Sequence, residues 1–147
     1  MAIWQYDIEV VPLKKLQEKN ISVPSRITKG QYENTFWWYN IFEPVNLGND
    51  LNRILPRSIS WCDEIRQWGN EDSTCIQLIS ENNKLVEFII RLDLRYLSDD
   101  LLQSLLQVIF KYNYVLLIND LKFINPEFED LVAEIVRSET YKIIFKN

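Results

Sequence analysis

The chain of 147 residues contains no histidine, and this absence excludes several kinds of active site. Histidine is the commonest general base at neutral pH, the partner of the nucleophile in Ser-His and Cys-His enzymes, and a ligand of most zinc sites. Glycine occurs only three times, and neither a P-loop nor a dinucleotide-binding fingerprint is present. The sequence therefore predicts a protein that is not an enzyme and that holds no metal or cofactor.

Basic residues are in the minority. Lys and Arg number 16 against 21 Asp and Glu, and the net charge is −5. A nucleic-acid binder neutralises phosphates with clustered Lys and Arg, so this balance argues against a nucleic-acid partner. An acidic surface suits a basic protein partner, although mild acidity is also common among soluble proteins.

Only two cysteines are present, Cys62 and Cys75, which is too few for a disulfide framework. We expect both to be free thiols in a reducing cytoplasm, with a single Cys62–Cys75 bridge as the alternative. No apolar run is long enough to span a bilayer, and residues 1–7 lack the basic and apolar regions of a signal peptide. We therefore expect a cytoplasmic protein that has no membrane partner.

The clearest positive feature is a β-hairpin. Asn82 and Asn83 separate two strand-like runs, 74–79 and 85–94, and asparagine tolerates the positive φ that a primed turn requires. Residues 61–68 predict a third strand that continues the hairpin as a meander, with Trp61 and Trp68 beside one sheet face. Alternate residues of the second run are apolar and predict one buried face: Val86, Phe88, Ile90, Leu92 and Leu94.

The rest of the chain alternates between strand and helix signals. We predict strands over 3–11 and 114–118, helices over 12–19, 51–55, 98–112 and from 125 to about 136, a loop over 20–34, and an edge strand or a tail over 142–145. Alternation in the first strand puts Asp7 and Glu9 on one face. No composition break marks a boundary, so residues 1–147 are expected to form a single α+β domain. Its antiparallel sheet has the hairpin at its centre and two main helices packed on one face.

An aromatic run, Phe36-Trp37-Trp38-Tyr39, follows the predicted loop. These rings either pack at an open end of the sheet or under the loop, or they anchor a partner, because aromatic side chains dominate both protein cores and interface hot spots. A platform for sugar or for single-stranded nucleic acid is a third interpretation, which the acidic charge disfavours.

Four carboxylates close to one another in sequence form the other candidate site: Asp63, Glu64, Glu71 and Asp72. They could hold a divalent cation or act as an acid–base pair, but neighbouring residues of a strand point to opposite faces. Solvated surface charge is the simpler interpretation. For a protein partner, these acids would steer association and tryptophans would supply buried contact. The candidate partner-binding residues are Trp37, Trp38, Asp63, Glu64, Trp68, Glu71 and Asp72.

Several segments resemble a group of small bacterial single-domain proteins: Ile54-Leu55-Pro56, Ser60-Trp61, Trp68-Gly69-Asn70-Glu71-Asp72 and Arg91-Leu92-Asp93-Leu94-Arg95. Some of that group resemble immunity proteins, which neutralise a toxin made by the same or a neighbouring cell. The resemblance spans positions 54–136. It implies an α+β fold, a cytoplasmic location and no enzymatic activity, and it transfers no functional residue.

We therefore expect a protein-interaction module of the immunity type that binds and neutralises a basic, nuclease-like toxin. Two alternatives stay open. One is a structural subunit that self-associates, for example as a homodimer, through its aromatic run. The other is a metal-dependent hydrolase that uses the four carboxylates.

Overall fold

A computed structural model describes residues 2–145 of the chain. Within these residues, eight strands form one antiparallel sheet and six α-helices flank it. The strands are β1 Gln5–Pro12, β2 Ser25–Arg26, β3 Arg57–Ser58, β4 Ile65–Gly69, β5 Cys75–Glu81, β6 Lys84–Asp93, β7 Tyr114–Ile118 and β8 Lys122–Ile124. The helices are α1 Leu13–Glu18, α2 Lys29–Glu33, α3 Leu47–Asn52, α4 Asp99–Lys111, α5 Phe128–Arg137 and α6 Glu139–Phe145. The strand order across the sheet is β2-β8-β7-β1-β6-β5-β4-β3.

The predicted hairpin is confirmed as β5 and β6. Asn82 and Asn83 have φ angles of 52° and 64°, as a type I′ turn requires. A β-bulge at Ile79/Ser80 shifts the register next to this turn. As a result, Leu85 is buried in place of the predicted Val86. Beyond the bulge, the predicted apolar positions are buried as expected: Phe88, Ile90, Leu92 and Leu94.

Helices cover one face of the sheet, which confirms the predicted α+β architecture. A row of cross-strand neighbours on this face runs through Trp68, Ile76, Ile90 and Ile8. The Trp68 indole donates a hydrogen bond to Asn52 at the end of α3 (2.7 Å), and α4 contacts β7, α3 and α5. The main core therefore lies between these helices and the four central strands.

The other face, which we call the polar face, carries a row of neighbours through all eight strands: Ser58, Gln67, Gln77, Ile89, Glu9, Leu117, Phe123 and Ser25. Gln77 and Gln67 are buried there. Gln77 Nε2 donates to Gln67 Oε1 (2.8 Å), and Gln67 Nε2 donates to Ser58 Oγ (3.1 Å). These bonds connect side chains of β3, β4 and β5. They satisfy the two buried glutamines, because buried polar groups are normally hydrogen-bonded.

The loop predicted over 20–34 is wrong, because this segment contains β2 and α2. The hydroxyl of Thr28 accepts a hydrogen bond from the Gln31 backbone (3.1 Å), and the Gln31 side chain accepts one from the Thr28 backbone (2.8 Å). This reciprocal capping box stabilises a helix that is too short and too polar to show hydrophobic periodicity.

The edge strand or tail predicted over 142–145 is also wrong, because these residues belong to α6. The backbone N–H of Tyr141 donates to the hydroxyl of Ser138 (3.2 Å) at the start of the helix. Tyr141 and Ile144, three positions apart, both pack against the core, which is helical spacing.

Two details of the predicted helices need correction. The sequence predicts a helix over 51–55 with Asn49 or Asp50 as its cap, but α3 begins at Leu47 and ends at Asn52, so both residues lie inside it. Helical spacing also predicts that Phe110 belongs to the buried face of α4, but that face ends at Ile109 and Phe110 is exposed. No helix among residues 2–145 is long and apolar enough to cross a bilayer.

Candidate functional site

The three candidate tryptophans lie in the core. Trp37, Trp38 and Trp68 are only 5%, 3% and 2% exposed. Trp37 meets Phe123 edge-on at 5.4 Å, and Trp38 meets Tyr114 edge-on at 5.0 Å. Phe123 and Tyr114 point to opposite sheet faces, so the aromatic run packs around the end of the sheet. In this structure the three indoles have no surface to offer a partner.

The four candidate carboxylates do not converge. Asp63 and Glu64, predicted within a strand, instead form the turn between β3 and β4, whereas Glu71 and Asp72 lie in the turn between β4 and β5. Strand β4 separates the two pairs, and its five residues span about 16 Å. All four side chains are exposed, and none has an ion-pair partner among residues 2–145.

The first of these turns is the tip of a hairpin formed by β3 and β4. Strand pairing places Ser58 opposite Gln67, and Ser60 Oγ lies within hydrogen-bond distance of the carbonyl oxygens of Cys62 (2.6 Å) and Ile65 (2.8 Å). The turn is thereby closed by its own side chain. Trp61 lies at the tip and is 79% exposed, in contrast to its predicted position beside a sheet face.

Other large apolar side chains are exposed beside this tip. Ile59 is 96% exposed, and extending the β3–β4 register places it opposite Arg66. Arg66 forms a bidentate ion pair with Glu43, which brings Phe42, 86% exposed, to the same end of the sheet. We call this group the hairpin-tip surface: Phe42, Ile59, Trp61, Asp63 and Glu64. Its apolar residues were not predicted as site residues, because only the strand pairing assembles them.

The second turn is fixed at the opposite end of β4. Trp4 Nε1 donates to the carbonyl oxygen of Asp72 (2.8 Å), and Gln5 Nε2 donates to that of Glu71 (2.7 Å). The guanidinium of Arg95 stacks on the Trp4 ring at 3.8 Å. Glu71 and Asp72 are therefore exposed carboxylates on a well-held turn, far from the hairpin tip.

A cavity of about 350 Å³ lies on the polar face, beside the cross-strand pair Asp7 and Arg91. Arg91 Nε lies 3.4 Å from Asp7 Oδ1, but the alignment does not make a hydrogen bond, so we treat the pair as a charge contact. The hydroxyl of Tyr32 donates to Glu9 Oε1 at 2.7 Å. We call this site the polar-face cavity, and its wall also includes Glu87, Ile89 and Leu117.

Burial raises the pKa of three carboxyl groups in this cavity. The pKa of Asp7 is raised although the positive charge of Arg91 opposes the shift. The pKa of Glu9 is raised although the hydrogen bond from Tyr32 opposes it, and the pKa of Glu87 is raised further by the charge of Glu81. The cavity therefore holds negative charge that is partly removed from water.

Cys62 and Cys75 are both free thiols, and Cys75 is fully buried. Burial raises the pKa of the Cys75 thiol, which keeps it protonated and unreactive at neutral pH. Among residues 2–145, no group of three His, Cys, Asp or Glu side chains is arranged to hold a metal ion.

The geometry thus offers two separate features, an exposed hairpin tip and a polar-face cavity. No protein-family model matches the chain, and neither a curated protein nor a solved structure matches it. The roles of the two features are therefore inferred from the residues that form them.

Proposed function

We propose that this chain is a non-enzymatic protein-interaction module of the immunity type, which binds and neutralises a basic, nuclease-like toxin in the cytoplasm. The observation that carries the proposal is the exposure of Trp61 and Ile59 on the same hairpin as Asp63 and Glu64, two carboxylates that have no ion-pair partner in the part of the chain that the structure describes. Contiguous exposed apolar side chains mark interaction sites, and tryptophan is enriched among the residues that dominate binding energy.

Charge argues for a basic partner. Arg66, the nearest base of β4, is already neutralised by Glu43, so the carboxylates of Asp63 and Glu64 set the sign of the hairpin-tip surface. Exposed charges of this kind accelerate encounter with an oppositely charged partner and exclude acidic ones. The apolar side chains of the hairpin-tip surface would then exclude water from the contact with the partner.

The hairpin is held in one conformation before it binds. Besides the Ser60 contacts, Arg57 Nη1 donates to the carbonyl oxygen of Gln67 (3.0 Å), and its guanidinium stacks on the Trp68 ring at 4.9 Å. A surface that is already ordered loses little conformational entropy on association. This favours a binding role over a flexible, solvated turn.

The test is an affinity purification of the tagged chain from cells that co-express the products of neighbouring genes, followed by binding measurements on any basic partner recovered. We expect Trp61→Ala to weaken that partner's binding by about tenfold or more, as for a hot-spot tryptophan. The double variant Asp63→Asn/Glu64→Gln should slow association and reduce its salt dependence.

The matched control is Glu71→Gln/Asp72→Asn, which removes the same charge at the other end of β4. It should leave association nearly unchanged, because the two turns are about 16 Å apart and salt screens charges over about 8–10 Å. Equal effects of the two double variants, or wild-type affinity for Trp61→Ala with an intact circular-dichroism spectrum, would contradict the proposal.

Self-association is the second candidate, and one specific observation favours it. Phe36, Tyr39 and Val45 are also largely exposed, in the segment that carries Phe42. A homodimer through this segment predicts a mass of two chains in sedimentation equilibrium, and Phe42→Ser should then restore the monomer. The metal-dependent hydrolase gains no such support from the described residues, because their carboxylates do not converge.

A further inference from the structure

The polar-face cavity contains a charge pair that is not hydrogen-bonded. Asp7 Oδ1 and Arg91 Nε lie 3.4 Å apart as an ion pair, and neither atom makes a hydrogen bond within residues 2–145. Buried polar atoms are normally satisfied, and an exception calls for an explanation. These two residues also line the cavity, so a polar group entering it would lie beside them.

The charges around the cavity determine whether it attracts a cation or an anion. Asp7, Glu9 and Glu87 line the cavity with carboxylates, and Arg91 is the base that opposes them. Glu9 is held in place by the hydroxyl of Tyr32 (2.7 Å), so its charge does not depend on a mobile side chain. A cation is therefore favoured over an anion or a neutral group.

The shape of the site favours an organic cation over a metal ion. Among the described residues, no three carboxylates converge as a divalent cation would require. Ile89 and Leu117 instead add apolar wall next to the acids, which suits a charged head on an aliphatic stem.

We propose that the polar-face cavity binds a small organic cation, namely an alkylammonium or alkylguanidinium group. The inference does not rest on the hairpin-tip surface, none of whose residues lines the cavity. Such a cationic group can belong to a free small molecule or to the side chain of a lysine or arginine in a protein.

The rim of the cavity is conformationally restrained. Asp120 and Leu121 both have positive φ, 63° and 54°, and the carbonyl of Leu121 accepts a hydrogen bond from the backbone of Ile27 (3.0 Å). Leucine rarely adopts this conformation, and such strain persists only where the surrounding structure enforces it. The cavity wall is therefore fixed before a ligand arrives.

The experiment is an NMR titration of the ¹⁵N-labelled full chain with n-butylammonium and with ethylguanidinium, using ethylurea as the neutral counterpart. We expect the two cations, and not ethylurea, to shift the amide signals of Glu9, Ile89 and Arg91 in a saturable manner. Glu9→Gln should weaken binding by about tenfold, the effect of losing one charged hydrogen-bond acceptor. Glu129→Gln, an exposed acid on α5 that does not line the cavity, is the control that should leave it unchanged.

Two further arms make the outcome decisive. Tyr32→Phe keeps every charge but removes the hydroxyl that holds Glu9 in place (2.7 Å). It should weaken cation binding by about threefold relative to the wild type, so it tests the site even if Glu9→Gln folds poorly. A capped Gly-Arg-Gly peptide identifies the source: tighter binding than ethylguanidinium indicates a protein side chain, and equal binding indicates a free small molecule. Ethylurea shifting the same amides as the cations, no saturable shift with either cation, or unchanged affinity in a folded Glu9→Gln variant would overturn the proposal.

Discussion

Replacing Asp50 with asparagine should destabilise the protein at neutral pH and should do so much less in acid. Asp50 lies in α3, and its carboxylate accepts hydrogen bonds from the hydroxyl of Tyr112 and from Lys111 Nζ (2.8 Å), at the end of α4. Arg53 adds an ion pair at 3.2 Å. The carboxylate thus joins α3 to the C-terminal end of α4.

The magnitude follows from how well each contact is shielded from water. Lys111 and Arg53 are largely exposed, so solvent screens their ion pairs and we assign them little stability. The bond from Tyr112 to a covered carboxylate is charge-assisted, and such bonds contribute roughly 1.5–3 kcal/mol. Because the group lies near the molecular surface, we take the lower end. Asn can still accept one weaker bond, so we expect a loss of about 1–2 kcal/mol in the free energy of unfolding.

The pH dependence has a definite sign. Hydrogen bonds from Lys111 and then Tyr112 hold the pKa of Asp50 below its usual range. The stability that the carboxylate contributes is therefore fully present above about pH 3.9, the ordinary value for Asp, and it is lost as pH falls through the lowered folded-state value. The difference between wild type and Asp50→Asn should shrink over that interval.

Urea unfolding monitored by tryptophan fluorescence at pH 7 and at about pH 3 measures this difference, since the core indoles become exposed on unfolding. Tyr112→Phe is the companion variant, because it removes the hydroxyl donor and retains the ring. The reasoning is refuted if Asp50→Asn loses the same free energy at both pH values, or if Tyr112→Phe is as stable as the wild type at pH 7.

Two further predictions concern the backbone. Gly69 has a φ of 85°, and a Cβ there would collide with the carbonyl oxygen of Thr74, so Gly69→Ala should cost about 2 kcal/mol or more by urea unfolding. Gly48→Ala is its control: a Cβ in that helical position lies 4.0 Å from the Trp68 ring, and we expect a gain of roughly 0.5–1 kcal/mol. Asn83→Gly should raise the thermal midpoint, with a gain of about 0.5 kcal/mol, since glycine adopts the positive φ of this turn without strain; no gain would count against the turn type.

Local signals in the sequence predicted the elements that local interactions stabilise. The β5–β6 hairpin was predictable because the turn residues and the apolar alternation lie in one short stretch. Helix α4 was predictable for the same reason, because serine is a preferred capping residue and the hydroxyl of Ser98 accepts a hydrogen bond from the backbone of Leu101 (3.1 Å). The bulge beside the hairpin turn was not predictable, because the alternation in the sequence continues through it.

The hairpin-tip surface and the polar-face cavity depend on contacts between segments that are distant in sequence. Such contacts could not be predicted from local sequence patterns. Alternation predicted that Asp7 and Glu9 share a face of β1, but only the pairing of β1 with β6 brings Arg91 and Glu87 beside them. The aromatic run shows the same limit. Its two central tryptophans are buried and the flanking Phe36 and Tyr39 are exposed. The tryptophans pack against Phe123 and Tyr114, which come much later in the chain.

The two sites use negative charge in physically different ways, and this separates their roles. Asp63 and Glu64 are exposed to solvent, and in the proposed function they act at a distance by steering a partner. Burial in the polar-face cavity raises the pKa of Asp7 and of Glu9, so negative charge on either group is unfavourable for folding at neutral pH. An arrangement that lowers stability when empty is stabilised by a bound cation. A cation that binds in the cavity should thus raise the free energy of unfolding. Binding of a partner at the hairpin tip should instead show an association rate that depends on salt concentration.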